Sequence, residues 1–220
     1  SDSSMIIEYL ERRSHRAMDA DLTVQERAIS AALKAMLEEH FYFVGLWSRW
    51  VDPDGWKIYR PVLTDLAARL GVPRFLVPLL EPFIRSKMRR ATLLQGIGRH
   101  SPDEIRQIGV DVVNAIADWL GDKRFMLGEK PHLLDATAYA FLAGWLWGPF
   151  EGAVKDSVRA RTNLVEYCDR MKALYGAMSG FFGDGASTYR VFVRQNPYSG
   201  TGGTGLGPSF MFGYNAAAKP

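Results

Sequence analysis

The stretch that decides the fold is LLDATAYAFLAGWLW, residues 133–147. Apolar side chains occur on nearly every face of this stretch rather than along one stripe, which is typical of a helix surrounded by other helices. It is too short to span a membrane, which takes about 20 apolar residues. Pro149 ends it. The sequence therefore predicts a buried central helix from Leu133 to Trp147.

Further helices are predicted on both sides of this central helix. Two begin with reciprocal capping boxes, Thr23 with Glu26 and Ser101 with Glu104, in which each residue satisfies a backbone donor of the other. Prolines are expected to divide or kink two helices, and residues 52–55 to form a turn. The predicted helices are 3–13, 24–50, 56–70 (divided at Pro61), 74–96 (broken near Pro78 and Pro82), 102–120, 133–147 and 163–175.

This order of elements predicts an all-α bundle with hardly any strand. Residues 177–220 are glycine-rich and are expected to be a poorly ordered tail, in which only residues 189–193 resemble a strand. The three predicted regions are therefore 1–16, the helical domain 17–176, and the tail 177–220.

Composition excludes several classes of function. The formal charge of +3 is too small for a nucleic-acid-binding surface unless the cations cluster. The richest cluster, Arg85, Lys87, Arg89 and Arg90, is interpreted as a solvated helix face in preference to a phosphate-binding patch. The single cysteine, Cys168, precludes an internal disulfide and favours a reducing compartment, so we expect a cytoplasmic protein with no membrane span.

No complete catalytic set can be assembled from the sequence. The four histidines are scattered, which argues against a metal site, and Cys168 is expected to be a buried, inert thiol. The aromatic band at residues 41–50 is more informative, because a helix turns 100° per residue and its rings cannot all face inward. Tyr42 and Trp50 could line a groove for an apolar ligand, or pack in the core or an interface.

Three motifs occur in order along the chain and together carry a resemblance. The first is the start Asp2 to Leu10 (DSSMIIEYL), and the second is Gly128 to Ala136 (GEKPHLLDA), in which Asp135 caps the central helix. The third is Gln95 to Ile105 (QGIGRHSPDEI), preceded by an aromatic helix that ends in Arg49 and Trp50. Over residues 1 to about 176 the chain resembles glutathione S-transferases, in the branch of failed-axon-connections proteins and metaxins.

The resemblance implies the helical C-terminal domain of that fold, preceded over residues 1–16 by the last helix of a thioredoxin-like domain. The rest of that domain, with the thiol-activating residue, is expected to lie upstream. Asp2 and Ser3 would bind the γ-glutamyl end of glutathione, the co-substrate. Tyr42, Trp50, Arg99 and His100 would face the electrophile. His132 stands where the family usually has threonine.

The function that the resemblance implies is the electrophile-binding half of a detoxifying transferase that conjugates glutathione to a small electrophile. The resemblance also implies a homodimer. The chain alone would have no catalytic residue, no metal and no conjugating activity. The alternative is a non-catalytic binding or scaffold protein of the failed-axon or metaxin kind, in which the helical half supplies a partner surface.

Overall fold

The computed structural model describes residues 9, 11, 13, 17–69 and 71–182. The predicted helix 3–13, the predicted glutathione ligands Asp2 and Ser3, and the predicted tail with its strand-like segment lie wholly or mostly outside these residues. Regular structure in the described part is helical, which confirms the predicted all-α fold. The elements are α1 (Val24–Ala35), a π-helix (Met36–Phe41), α2 (Tyr42–Trp50), α3 (Pro53–Arg69), a 3-10 turn (Arg74–Leu76), α4 (Val77–Gln95), a second 3-10 turn (Ile97–Arg99), α5 (Pro102–Leu120), α6 (Leu133–Leu146), α7 (Ala153–Ala160) and α8 (Thr162–Phe182).

The central helix is α6, as predicted. It packs against α1, the π-helix, α7 and α8. It ends at Leu146, one residue earlier than expected, and Trp147 beyond it is 39% exposed. Its buried positions face several neighbours at once, namely Leu134, Asp135, Ala138, Phe141, Leu142, Trp145 and Leu146.

The long helix predicted over residues 24–50 is continuous, but it contains a π-helical turn at Met36–Phe41 that the sequence pattern did not reveal. Leu37 and Phe41 on this turn are buried. The side-chain amide of Gln95 donates a hydrogen bond to the carbonyl of Glu39, at 2.8 Å. The π-turn is therefore tied to the end of α4.

The predicted turn at residues 52–55 is only partly correct, because residues 53–55 belong to the first turn of α3 and only Asp52 lies outside the helix. Asp52 caps the helix by accepting a hydrogen bond from the Gly55 amide, at 3.0 Å. Pro53 then occupies the first helical position, where its missing N–H costs nothing.

Pro61 and Pro82 do not break their helices as expected, although the predicted stretch 74–96 does begin with a separate 3-10 turn before α4. Pro61 lies inside α3 and Pro82 inside α4, whereas Pro78 falls in the first turn of α4. The carbonyls that lose a helical donor belong to Lys57 and Pro78, four residues earlier. Both residues are exposed, so water can hydrate these carbonyls.

The sequence missed α7 and underestimated α8. Helix α7 is short and polar, and only Val154 and Val158 mark its buried side with apolar residues. It packs closely on α5, where a Cβ at Gly109 would lie 2.6 Å from Cγ2 of Val154. Helix α8 runs to Phe182, past the predicted end at residue 175. None of the helices in the described ranges is long and apolar enough to cross a bilayer.

Candidate functional site

The predicted electrophile-binding residues lie on two elements that touch each other. Tyr42 and Trp50 are the first and last residues of α2, and Arg99 ends the 3-10 turn that packs against α2, with His100 following it. The two pairs differ in burial, because Tyr42 and Trp50 are inside or partly inside the protein and Arg99 and His100 are exposed.

Tyr42 is half-buried and lies edge-on to Phe43, with ring centroids 5.0 Å apart. Burial raises the pKa of its phenol, although the positive charge of Arg49 opposes this shift. The hydroxyl therefore stays protonated at neutral pH and is a hydrogen-bond donor rather than a base.

Trp50 has the environment of a core residue. It is 4% exposed, stacks on Trp56 at 5.6 Å between centroids, and meets the ring of Tyr59 edge-on at 5.0 Å. Of the two interpretations left open by the sequence, this packing favours the core for Trp50. A direct ligand contact by Trp50 remains a prediction.

Arg49 is the residue that sequence analysis did not select. It is 4% exposed, and its guanidinium lies 5.2 Å from the ring centroid of Phe150. Burial lowers the pKa of Arg49 to about 10, while the nearby phenols of Tyr59 and Tyr42 act in the opposite direction. Arg49 therefore remains charged at neutral pH inside an aromatic environment.

The spacing in sequence could have drawn attention to Arg49. It follows Tyr42 by seven residues, so both fall on one face of α2. A cation held in a medium of low dielectric constant interacts strongly with any negative charge that develops near it. Arg49, Tyr42 and Tyr59 thus form a group that can stabilise an anion, and we call it the Arg49 cluster.

Arg99 and His100 belong to a turn whose shape explains much of the surrounding motif. The Gln95 side-chain carbonyl accepts a hydrogen bond from the Ile97 amide, at 3.0 Å. A Cβ at Gly98 would lie 2.9 Å from backbone atoms of Thr92 and Leu93, so this position has no room for a side chain. Nδ1 of His100 lies 3.9 Å from Oε2 of Glu104. The motif builds a tight connection between α4 and α5.

The predicted cap of the central helix is confirmed at Asp135, which is fully buried. Its carboxylate accepts hydrogen bonds from the amides of Met126 (2.8 Å) and His132 (2.9 Å) and from the hydroxyl of Tyr167 (3.0 Å). Burial raises the pKa of Asp135 despite these three donors. Asp135 therefore joins α6, α8 and the loop before α6, which is a structural role.

His132 precedes this helix and is 3% exposed. Within the described part of the chain, neither of its ring nitrogens has a hydrogen-bond partner, and Nε2 lies 3.6 Å from Oδ2 of Asp21. Asp21 pairs with Lys130 at 2.7 Å, and Asp19 accepts a hydrogen bond from the Leu133 amide at 3.0 Å. The loop before α1 is therefore fastened to the start of the central helix.

Cys168 has the environment of an inert thiol. The thiol of Cys168 is buried, and burial raises its pKa to about 12, so almost none of it is thiolate at neutral pH. Across the described ranges, no cluster of histidine, cysteine or carboxylate side chains has the geometry of a metal site.

A polar cavity of about 390 Å³ lies where α5 ends and α8 begins. Two of the side chains that line it donate hydrogen bonds to backbone carbonyls. Asn163 donates to the carbonyls of Ala117 and Gly121, and Arg170 donates to the carbonyl of Arg124. The residues predicted to bind a ligand are not among those that line it.

Residues 109–171 match the family model for the glutathione S-transferase C-terminal domain, and residues 1–55 match the model for the glutathione S-transferase N-terminal domain. The second match extends past residue 16, and the domain boundaries remain a prediction. No solved structure matches.

Three relatives illustrate the range of similar proteins. The isoprene-epoxide–glutathione S-transferase of Rhodococcus sp. is 33% identical over 79% of this chain and 72% of its own length. Failed axon connections of Drosophila melanogaster is 29% identical over 78% of this chain, and a metaxin-1 homolog of Caenorhabditis briggsae is 28% identical over 74%. The chain spans about half the length of these two, at 43% and 49%.

Proposed function

The chain belongs to the glutathione S-transferase family, and from this premise we propose that it supplies the electrophile-binding helical half of a protein that conjugates glutathione to a small electrophile. The Rhodococcus relative, by its name, acts on an epoxide of isoprene. A small, largely apolar epoxide is accordingly the substrate class that we propose. The observation that carries this proposal is the buried cation of the Arg49 cluster.

The chemistry of epoxide conjugation suits such a cluster. The glutathione sulfur, as thiolate, attacks a ring carbon, so that a C–S bond forms and a C–O bond breaks. Negative charge moves onto the epoxide oxygen, which then takes up a proton. A protonated Tyr42 hydroxyl can donate a hydrogen bond to this oxygen, and the charge of Arg49 lowers the energy of the developing anion.

The other predicted contacts have different parts in the proposal. Asp2 and Ser3 bind the γ-glutamyl end of glutathione. Arg99 and His100 are exposed polar groups that contact the electrophile from the turn beside α2. Trp50 is buried, so it acts by holding Trp56 and Tyr59 in place. Cytoplasmic location and homodimer formation remain part of the proposal. The buried thiol of Cys168 is consistent with a reducing compartment.

A conjugation assay with glutathione and a small epoxide tests the proposal, run on the 220-residue chain and on any longer natural form. We expect Tyr42→Phe to lower kcat about 100-fold in the form that is active, because the donor to the leaving oxygen is lost. Tyr139→Phe on α6 is the matched control and should leave kcat unchanged. If Tyr42→Phe has the same kcat as Tyr139→Phe, the Tyr42 hydroxyl does not take part in the reaction.

The second candidate function is a non-catalytic binding or scaffold role. The similarity to failed axon connections and metaxin-1 favours it. Retention on immobilised glutathione separates the two candidates. A transferase should be retained and released by free glutathione, whereas a scaffold that lost this site should flow through and show no turnover.

A further inference from the structure

Helix α4 presents an apolar surface to solvent. Leu79 and Phe83 lie one turn apart on α4, and Phe75 lies in the 3-10 turn directly before it. The three residues are 73%, 74% and 75% exposed, respectively. Leu80, Leu93 and Leu94 are also exposed. We call the outward side of residues 74–95 the α4 face.

This exposure is not a sign that α4 has separated from the protein. Val77, Met88 and Thr92 on its opposite side are buried, and α4 packs against α2. The basic cluster noted in the sequence lies on the same helix. Leu93 and Leu94, near the end of the helix, face solvent.

The charge of the α4 face is one-sided. This segment has five cations, Arg74, Arg85, Lys87, Arg89 and Arg90, and one carboxylate, Glu81. Arg74 pairs with Asp65 of α3 at 3.2 Å. Glu81 is directed inward, where it accepts hydrogen bonds from the Trp56 indole (3.1 Å) and from Arg60 (2.8 Å). Arg85 also turns inward, to the Trp50 carbonyl. Lys87, Arg89 and Arg90 are exposed, and the segment as a whole carries a net positive charge.

Charge and shape together indicate the occupant. A second copy of the chain would bring another set of cations against these, which costs energy. An anionic surface is favoured by the same cations. Side chains exposed to about three-quarters stand out as a convex ridge and do not line a groove that could hold a partner helix. A fluid bilayer can accept such a ridge, with the cations at its headgroups.

We propose that the α4 face is a peripheral membrane-binding surface, which inserts Phe75, Leu79 and Phe83 among the lipids of an anionic bilayer and holds their headgroups with Lys87, Arg89 and Arg90. The interaction is reversible, because a single shallow helix face buries little apolar area compared with a spanning helix. It is also sensitive to salt, since screening weakens attraction between exposed charges.

Co-sedimentation of the full chain with phosphatidylcholine vesicles, with and without phosphatidylserine, tests the inference. Binding is expected with phosphatidylserine at low salt and is lost at high salt. Leu79→Ser with Phe83→Ser should weaken it at least about tenfold, because the inserted apolar groups are gone. Arg89→Gln with Arg90→Gln should weaken it about fivefold per charge.

Matched controls use exposed residues elsewhere. Met18→Ser with Val24→Ser removes comparable exposed apolar groups, and Arg159→Gln with Lys172→Gln removes two exposed cations. Both controls should bind as the unaltered chain does. No binding to anionic vesicles, or equal loss in the controls, overturns the inference. A dimer that the Leu79 and Phe83 changes abolish, without vesicle binding, overturns it in favour of a second copy.

Discussion

At the scale of single residues, polar groups inside this protein do two different things. Asp135 is buried and satisfied by three donors, so it holds parts of the fold together. Arg49 is buried among aromatic rings and retains a positive charge. The first arrangement is what a structural network looks like, and the second is what a site for an anion requires.

Asp135→Ala should lower the free energy of unfolding by about 3 kcal/mol or more, because it leaves the amides of Met126 and His132 buried without this acceptor. The Tyr167 hydroxyl also loses its bond to the carboxylate but keeps the backbone carbonyl of residue 135 as an acceptor. Denaturant unfolding followed by circular dichroism measures this change. Asp156→Ala, at an exposed position on α7, is the control and should change stability by less than about 0.5 kcal/mol. A loss at Asp135 no larger than at Asp156 would contradict the role of the network.

The role of Asp135 was predictable from sequence, whereas that of Arg49 was not. Asp135 acts within one turn of its own helix start, where capping rules are local. Arg49 depends on Phe150, which is brought to it only by packing between distant segments. The π-turn makes the environment of Arg49 still harder to predict from the sequence. One extra residue in this turn rotates the side chains after Phe41 by about 100° relative to a regular helix.

At the scale of elements, both capping boxes were correctly predicted. Their glutamates make the stability of the protein depend on pH. The backbone amide and hydroxyl of Ser101 hold the pKa of Glu104 below its usual value. A lowered pKa in the folded state means that this contribution to stability is present above the unfolded pKa of about 4.5 and is lost as pH falls through the folded value.

Glu104→Gln should therefore flatten the loss of stability on acidification below about pH 4.5. Unfolding midpoints measured across this range give the slope. The control is Glu166→Gln, on an exposed carboxylate that lies 3.9 Å from Arg170 and does not cap a helix. An identical acid slope in the Glu104 variant and the unaltered chain would show that the box does not contribute in this way.

The α5–α7 contact could not be predicted, because the requirement for a glycine at position 109 comes from another helix. Gly109→Ala should destabilise the protein by about 1–3 kcal/mol, since the new Cβ would meet Cγ2 of Val154 at 2.6 Å and Cγ1 of Val44 at 3.0 Å. The same change in a Val154→Ala background should cost less, because the nearer obstacle is gone. Thermal or denaturant unfolding measures both effects. If the losses of stability from Gly109→Ala and Val154→Ala simply add, the clash with Val154 is not the cause of the destabilisation.

At the scale of the whole molecule, α6 organises the bundle and α2 organises the candidate site. The sequence placed α6 at the centre because an all-round apolar helix has no other stable location. It could not place the site, since α2 contacts α3, α4, α5 and the turn at Ile97–Arg99, and these contacts join residues far apart along the chain. The family, by contrast, was recognisable from short motifs that serve as caps and turns.

The central claim is that the helical half takes part in conjugation through the buried charge of Arg49. The direct measurement is kcat/KM for glutathione conjugation of a small epoxide by Arg49→Met, with Arg159→Met as an exposed control and far-UV circular dichroism to confirm folding. Arg49→Lys keeps the charge and provides a second variant should Arg49→Met fail to fold.

We expect kcat/KM to fall about 100-fold in Arg49→Met, to fall less in Arg49→Lys, and to stay unchanged in Arg159→Met. Folded Arg49→Met protein that conjugates as fast as the unaltered form would contradict the account.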